Sequence, residues 1–208
     1  MAASDPYRRI APVYDSLLDP MQVGVRRVSR QVLVPQKGWQ VLDVGCGTGA
    51  SLAEYLEAGC RVTGVDVSPA MLDRAESRLG QEADLRLTDG RTLPFDSDSF
   101  DLATTSMVLH EVAAAERATV VLEMARVTRP TGRLLLIDFR FGSLRGWRGP
   151  VLRGLSGAIE RVVGHYSGYR SFKAAGGIPA IVSEAGLQME REKIVAGGNL
   201  AIYVVEPG

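Results

Sequence analysis

The sequence predicts a single α/β domain with one seven-stranded sheet, mostly parallel with an antiparallel last strand, and helices on both faces. From residue 39 onward, short apolar runs alternate with stretches of helical periodicity, which is typical of parallel strands joined by crossover helices. Only Gly197-Gly198-Asn199 separates the last two predicted strands, too short for a parallel crossover, so an antiparallel hairpin is expected there. The 208 residues, 46% hydrophobic, suit one compact domain.

The predicted elements follow from composition and capping signals. Seven strands are expected at residues 40–44, 61–65, 84–88, 100–105, 133–139, about 188–195 and 200–205. Helices are expected at residues 49–58, 69–79 and 114–128. The second begins at Pro69 behind a possible N-cap, Ser68, and the third stops before Pro130.

Composition excludes several classes of protein. The two cysteines are too few for a disulfide scaffold, and with only two histidines the usual ligands of a structural zinc site are missing, so no metal is expected. The first twenty residues lack the apolar run of a signal peptide, which predicts a cytoplasmic protein. Residues 1–139 carry 15 basic and 19 acidic side chains, and residues 140–208 carry 9 and 5. We interpret the arginines of the second segment as a solvated face.

The strongest motif is a glycine-rich turn at residues 45–49, which follows the first predicted strand and precedes a helix. Such a turn lets the backbone approach a ligand, and the helix N-terminus adds N–H donors, which together indicate a nucleotide or nucleoside site. Gly45, Gly47 and Ala50, with Asp66 further along, also fit the dinucleotide fingerprint.

Carboxylates at the strand ends separate these two interpretations. Asp43 would be an uncompensated negative neighbour of a pyrophosphate but a favourable one for the sulfonium and ammonium groups of S-adenosylmethionine. Asp66 is placed to accept hydrogen bonds from ribose hydroxyls in either cofactor. Asp89-Gly90 offers a carboxylate for an adenine amino group or forms an ordinary tight turn.

These motifs resemble the class I S-adenosylmethionine-dependent methyltransferases, in particular the ubiquinone/menaquinone-biosynthesis C-methyltransferase-like group. The resemblance rests on residues 41–49, 64–71, 89–101 and 129–138, and on an opening segment at 7–15. It implies a Rossmann-like fold and S-adenosyl-L-methionine as cofactor, with S-adenosyl-L-homocysteine as product. With the motif analysis, it gives the expected cofactor-binding residues: Tyr14, Asp43, Gly45, Gly47, Thr48, Gly49, Asp66, Val67, Met71, Asp89, Gly90 and Ser106.

The acceptor is expected beyond the fourth strand, in the loop from Ser106 to Glu111, because ligands of open α/β sheets lie outside the carboxyl ends of the strands. His110 is a candidate general base there, or a structural hydrogen-bonding residue. His165 is the second catalytic candidate: it lines the acceptor pocket or marks a helix boundary. At residues 109–112 the sequence departs from the quinone methyltransferases, which leaves the acceptor open.

We therefore expect a small-molecule acceptor, lipophilic or aromatic, and no nucleic-acid partner. A peripheral membrane contact is left open but not expected, and the oligomeric state is left open and includes a homodimer. The alternatives are an NAD(P)-dependent oxidoreductase and a non-catalytic S-adenosylmethionine-binding module.

The single domain is divided into an N-terminal helical cap (1–38), a cofactor-binding core (39–139), a lid (140–180), and a C-terminal helix end with the hairpin (181–208). The lid is predicted from its length and from helical spacing of apolar residues. Its apolar face would cover the acceptor while three arginines stay in solvent; docking on a membrane surface and a dimer contact are the alternatives for the same face. That face consists of Leu152, Leu155, Ile159 and Val162/Val163, and the arginines are Arg148, Arg153 and Arg161.

Overall fold

The computed structural model describes residues 5, 7–8, 11–88, 91–163 and 166–208. Its seven strands form one sheet in the order β3-β2-β1-β4-β5-β7-β6. β7 is antiparallel to both of its neighbours, and the pairs from β3 to β5 are parallel. The strands are β1 (Gln40–Val44), β2 (Arg61–Asp66), β3 (Ala83–Leu87), β4 (Phe100–Ser106), β5 (Thr128–Phe139), β6 (Gln188–Val195) and β7 (Leu200–Glu206).

The helices connect these strands and cover the sheet. They are α1 (Ala11–Val32), α2 (Ala50–Glu57), α3 (Pro69–Leu79), α4 (Arg117–Val127), α5 (Arg148–Val163), α6 (Tyr166–Ala174) and α7 (Ile178–Glu184). The side chain of Ser68 accepts a hydrogen bond from the backbone of Met71, so the predicted cap of α3 is confirmed. The predicted fold class and the terminal antiparallel hairpin are also confirmed.

Two hydrophobic cores lie on the two faces of the sheet. In β1, Leu42 and Val44 belong to one core and Val41 to the other, as the alternation of side chains along a strand requires. Because both faces are covered, the central strands are apolar almost throughout, which explains why the sequence predicted them so well.

The start of β5 differs from the prediction. The strand begins at Thr128, not at residue 133, and its register with β4 shifts between Phe100 and Leu102. At Gly132 the chain runs so close to β4 that an added Cβ would lie 2.7 Å from the carbonyl oxygen of Asp101. Arg129 pairs with the carboxylate of Asp101, which fastens this irregular stretch.

Helix α5 packs on the turn between β6 and β7 through a polar and glycine-rich face. An added Cβ on Gly149 would lie 2.6 Å from the carbonyl oxygen of Gly197, and the amide of Asn199 donates to the Ser156 hydroxyl at 3.0 Å. Arg153 donates to the carbonyl oxygen of Arg140 at 2.7 Å. The prediction that Arg153 stays in solvent is therefore wrong, because backbone acceptors at the turn hold its guanidinium.

The opposite face of α5 points to solvent. Leu155, predicted to cover the acceptor, is 47% exposed, and Val151 and the preceding Trp147 are 58% and 74% exposed. No side-chain position is described for Arg148, Ile159, Val162 and Val163.

The described residues contain neither a membrane-spanning helix nor a cluster of metal ligands. No helix there combines the length and the apolar character that crossing a bilayer requires. No three His, Cys, Asp or Glu side chains within the same ranges are grouped so that they could hold a metal ion.

Candidate active site

A cleft of about 380 Å³ opens at the carboxyl ends of β1, β2 and β4. This is the edge of an open α/β sheet at which ligands bind. The cleft is lined by Tyr7, Val44, Gly45, Gly47, Val65, Asp66, Val67, Met71, Thr88, Ser106, Met107, Val108, Glu111, Val112, Ala113, Glu116 and Val120.

The glycine turn forms the floor of this cleft. Gly45 has a φ of 76°, and an added Cβ there would lie 2.3 Å from a methyl carbon of Val108. The backbone N–H groups of Gly45 and Cys46 both donate to the carbonyl oxygen of Val65, at 2.8 and 3.0 Å. The turn is thus locked between β2 and the β4 loop, which we define as residues 107–112, and only glycine fits at position 45.

Asp66 ends β2 and is held in place by the glycine turn. Its carboxylate accepts the backbone N–H of Gly47 at 2.8 Å and that of Ser68 at 2.9 Å. Burial raises the pKa of Asp66 and the charge of Glu111 raises it further, whereas the two backbone hydrogen bonds lower it. Each carboxylate oxygen has a second lone pair, so this fixed group can still accept ribose hydroxyls from the cleft.

Asp43 lies behind the turn and does not line the cleft. Its side chain is buried, and among the described residues its Oδ1 has no hydrogen-bond partner. Burial raises the pKa of Asp43 to about 7, and the negative charge of Asp66 adds to this effect. A buried carboxylate without a compensating charge favours a cationic ligand in front of it and disfavours a pyrophosphate.

The other expected cofactor residues are distributed as follows. Val67, Met71 and Ser106 line the cleft. Thr48 does not: it is buried, and its hydroxyl accepts a hydrogen bond from Arg78 at 2.9 Å. Gly49 lies behind the floor, with a φ of 75° at the start of α2, where an added Cβ would meet a methyl carbon of Leu79 at 2.9 Å. Asp89, Gly90 and His165 lie outside the described residues, and Tyr14 belongs to α1 but its side chain is not described.

His110 is fully buried beside the cleft and does not line it. Its ring Nδ1 lies 2.8 Å from Oδ1 of Asp138, and its backbone N–H donates to Oδ2 of the same carboxylate at 3.0 Å. Its ring packs edge-to-face on Phe139, with ring centroids 4.8 Å apart. A direct base role needs contact with the acceptor, and the neighbouring Glu111, not His110, reaches into the cleft.

The β4 loop is held by Arg117, a buried arginine of α4. Its guanidinium donates to the carbonyl oxygens of Leu109 and Val112, both at 3.0 Å, and to the hydroxyl of Ser171 in α6 at 2.8 Å. Burial lowers the pKa of Arg117. At Gly168 of α6, an added Cβ would lie 2.6 Å from the carbonyl oxygen of His110. Helix α6 therefore supports the loop from behind, although no described residue of 140–180 lines the cleft.

Sequence reasoning missed Glu111, Asp138 and Arg117. The acidic residue at 111 was visible in the loop motif, but nothing in the sequence indicated which of two adjacent side chains enters the cleft. Asp138 contacts His110, 28 positions away, and Arg117 joins the nearby β4 loop to Ser171, 54 positions away. Hydrophobic periodicity encodes neither of these polar contacts.

The cleft is electrostatically negative. Three carboxylates line it, those of Asp66, Glu111 and Glu116, and its described lining contains no lysine or arginine. The fold and the site therefore define an α/β protein with a nucleoside-type cleft that is unsuited to phosphate groups.

Comparison with known proteins gives the class and the group. Residues 42–136 match the family model described as "Methyltransferase domain". The demethylmenaquinone methyltransferase of Paenarthrobacter aurescens is 36% identical over 143 residues, which are 67% of this chain and 55% of that protein. That of Beutenbergia cavernae is 30% identical over 211 residues, covering 93% of this chain and 86% of the relative.

The chain thus spans little more than half the length of the Paenarthrobacter relative. Among solved structures, the methyltransferase in a Haloferax volcanii complex with the Trm112 activator matches with a TM-score of 0.77 and 17% identity, covering 100% of both chains. This chain belongs to the class I S-adenosylmethionine-dependent methyltransferases, in the ubiquinone/menaquinone-biosynthesis C-methyltransferase-like group.

Proposed function

We propose that the protein transfers the methyl group of S-adenosylmethionine to a small, uncharged, lipophilic or aromatic acceptor of the quinol type. One observation carries the proposal: the cleft at the glycine turn is lined by three carboxylates and, among the described residues, by no basic side chain. Such a cleft attracts a sulfonium cation and repels the phosphates of a nicotinamide dinucleotide.

The residues present fit this cofactor. Asp66 would hold the ribose hydroxyls, Val67 and Met71 would contact the adenine, and the glycine turn leaves room for the methionine portion. Asp43, with its unpartnered buried oxygen and a pKa raised to about 7, would supply negative charge behind the turn in its ionised form, which a bound cation favours. When bound, S-adenosylmethionine supplies an electrophilic methyl group, and its sulfur keeps the electron pair of the C–S bond that breaks.

The chain's own contribution is to position the acceptor and exclude water. Met107, Val108, Val112 and Val120 give the acceptor side of the cleft an apolar wall. An apolar wall beside carboxylates suits a neutral aromatic ring bearing hydroxyl groups and disfavours anionic acceptors. The relatives named demethylmenaquinone methyltransferases support an acceptor of this kind.

Calorimetry and a methyl-transfer assay test the proposal. S-adenosylmethionine and S-adenosylhomocysteine should bind, and NAD and NADP should not. With labelled S-adenosylmethionine, label should pass to a 1,4-dihydroxynaphthalene carrying a short prenyl chain, kept reduced under argon. Binding of NAD without binding of S-adenosylhomocysteine would support the oxidoreductase alternative. Cofactor binding without transfer to this probe or to a panel of phenols and amines would support a non-catalytic binding module.

A further inference from the structure

Glu111 is a carboxylate of the cleft whose described polar contacts are with a tyrosine hydroxyl and a histidine ring, two groups that can donate or accept a proton. The hydroxyl of Tyr7 donates to its Oε2, and its Oε1 lies 3.7 Å from Nε2 of His110. Its side chain is 26% exposed, in the wall of the cleft. Glu111 can therefore contact a ligand on one side and a buried imidazole on the other.

The other two cleft carboxylates are occupied differently. Asp66 is fixed by the backbone N–H groups of Gly47 and Ser68. Glu116 forms an ion pair with Arg91 at 2.9 Å, near the rim, where its side chain is 38% exposed. Neither contacts a histidine or a tyrosine through the bonds described, so neither has a route by which a proton can move on.

Asp138 determines which nitrogen of His110 faces Glu111. Its carboxylate is fully buried and accepts the backbone N–H groups of His110 and Phe139, at 3.0 and 2.7 Å. Because it acts as an acceptor, the proton of a neutral His110 lies on Nδ1, 2.8 Å away. Nε2, the nitrogen nearer Glu111, is then the basic one; at 3.7 Å from Oε1 it is not hydrogen-bonded to that carboxylate, so passage of a proton between the two groups requires a closer approach.

We propose that Glu111 is a catalytic residue that accepts the proton of the acceptor, and that the buried His110–Asp138 pair positions it. The proposal rests on the proposed methyltransferase function. The O–H bond of the acceptor breaks and its proton passes to a carboxylate oxygen of Glu111. The electron pair left on the acceptor increases the nucleophilicity of the atom that forms the new bond to the methyl carbon. Products are the methylated acceptor, S-adenosylhomocysteine and one proton held on Glu111.

A binding experiment tests the contact without requiring turnover. Calorimetry on the S-adenosylhomocysteine complex compares 1,4-dihydroxynaphthalene, which has hydroxyl donors, with 1,4-dimethoxynaphthalene, which has none. Glu111→Gln should weaken binding of the dihydroxy probe by roughly 10- to 100-fold, the range for a hydrogen bond to a charged group, and leave the affinity for the dimethoxy probe unchanged. Glu116→Gln removes the same charge from the same cleft and should change the affinity for both probes by the same factor. Equal affinity of the two probes for the wild-type protein, or their equal weakening by Glu111→Gln, would overturn the role of Glu111.

A pH profile tests the chemistry and the positioning. The single-turnover rate of the wild type should rise with pH, and Glu111→Gln should lower it by about 10²–10⁴-fold and abolish that dependence. Glu116→Gln should keep the pH dependence of the rate.

The positioning role of the buried pair is tested with His110→Asn and Asp138→Asn, whose folding is checked by circular dichroism. Each variant should retain a pH dependence of the rate with a shifted midpoint. An unshifted midpoint in a folded variant would refute the positioning role. The charged and titratable groups around Glu111 are Tyr7, Asp66, His110, Glu116 and Asp138.

These outcomes separate the two proposals. A wild-type protein that binds S-adenosylhomocysteine but methylates no probe refutes the proposed function. A wild-type protein that methylates the probe, with Glu111→Gln equally active, refutes only the inference about Glu111.

Discussion

Replacement of Asp43 by asparagine should stabilise the protein above neutral pH. Asp43 is buried, and its pKa is raised from 3.8 to about 7 by burial and by the charge of Asp66. The folded state therefore holds a proton that the unfolded chain releases near pH 4. That proton favours folding below about pH 4, and its contribution to the unfolding free energy is lost as pH rises to about 7.

The magnitude follows from the difference between the two pKa values. At about 1.4 kcal/mol per unit, the rise from 3.8 to about 7 corresponds to about 4 kcal/mol of unfolding free energy, as an upper value for a buried carboxyl group. Asparagine does not titrate, so this part of the pH dependence disappears in the variant.

Urea unfolding at several pH values between about 4 and 8 measures the effect. The unfolding free energy of Asp43→Asn, relative to the wild type, should rise across this range by up to about 4 kcal/mol. Asp98→Asn, on an exposed loop, is the control for loss of one carboxylate. Its unfolding free energy should change with pH in the same way as that of the wild type. If the unfolding free energy of Asp43→Asn also changes with pH as that of the wild type does, Asp43 is not the buried titrating group.

The same variant should also bind the cofactor differently. Binding of S-adenosylmethionine, whose sulfur is cationic, should weaken more than binding of S-adenosylhomocysteine, whose sulfur is neutral.

Three further predictions concern the site. Asp66→Asn should weaken S-adenosylhomocysteine binding by roughly 10- to 100-fold in calorimetry, through loss of charged acceptors for the ribose, and an unchanged affinity would remove Asp66 from the site. Gly45→Ala should lower the melting temperature more than Gly47→Ala, because both positions have positive φ but only an added Cβ at 45 meets Val108; equal losses would contradict the steric argument. Arg117→Gln should reduce the unfolding free energy by about 2–4 kcal/mol, by leaving buried carbonyl groups without donors, and denaturation that shows no loss would count against the loop anchor.

The sequence predicts the sheet closely where strands are buried on both faces. The predicted boundaries of β1 agree with the structure, and four of its five residues are buried. Those of β6 also agree, although this edge strand is mostly polar and largely exposed. The start of β5 could not be predicted, since Pro130 and Gly132 normally signal a turn. There the strand continues through a register shift that depends on contacts with β4.

The candidate site was predictable only in part, for a related reason. Motif spacing led to Gly45, Gly47 and Asp66, whose roles are local to a strand and its following turn. The relation of His110 to Asp138 joins residues 28 positions apart, across neighbouring strands. Motif spacing describes one turn at a time, so it left His110 open as a general base or a structural hydrogen-bonding residue and gave no indication that Asp138 is its partner.

Helix α5 shows where helical periodicity misleads. The spacing of Leu152 and Leu155 predicted an apolar face that covers a ligand, but periodicity identifies a stripe and not the surface on which it packs. The docking face of α5 is set by close backbone approach at Gly149 and by hydrogen bonds from Arg153 and to Ser156. The partners of these interactions are Gly197 and Asn199 of the β6–β7 turn and the carbonyl oxygen of Arg140, and together they set the orientation of the helix. Of the predicted apolar stripe, Leu155 is 47% exposed and Leu152 is partly exposed, so the polar and glycine contacts, and not these two leucines, mark the side on which α5 docks.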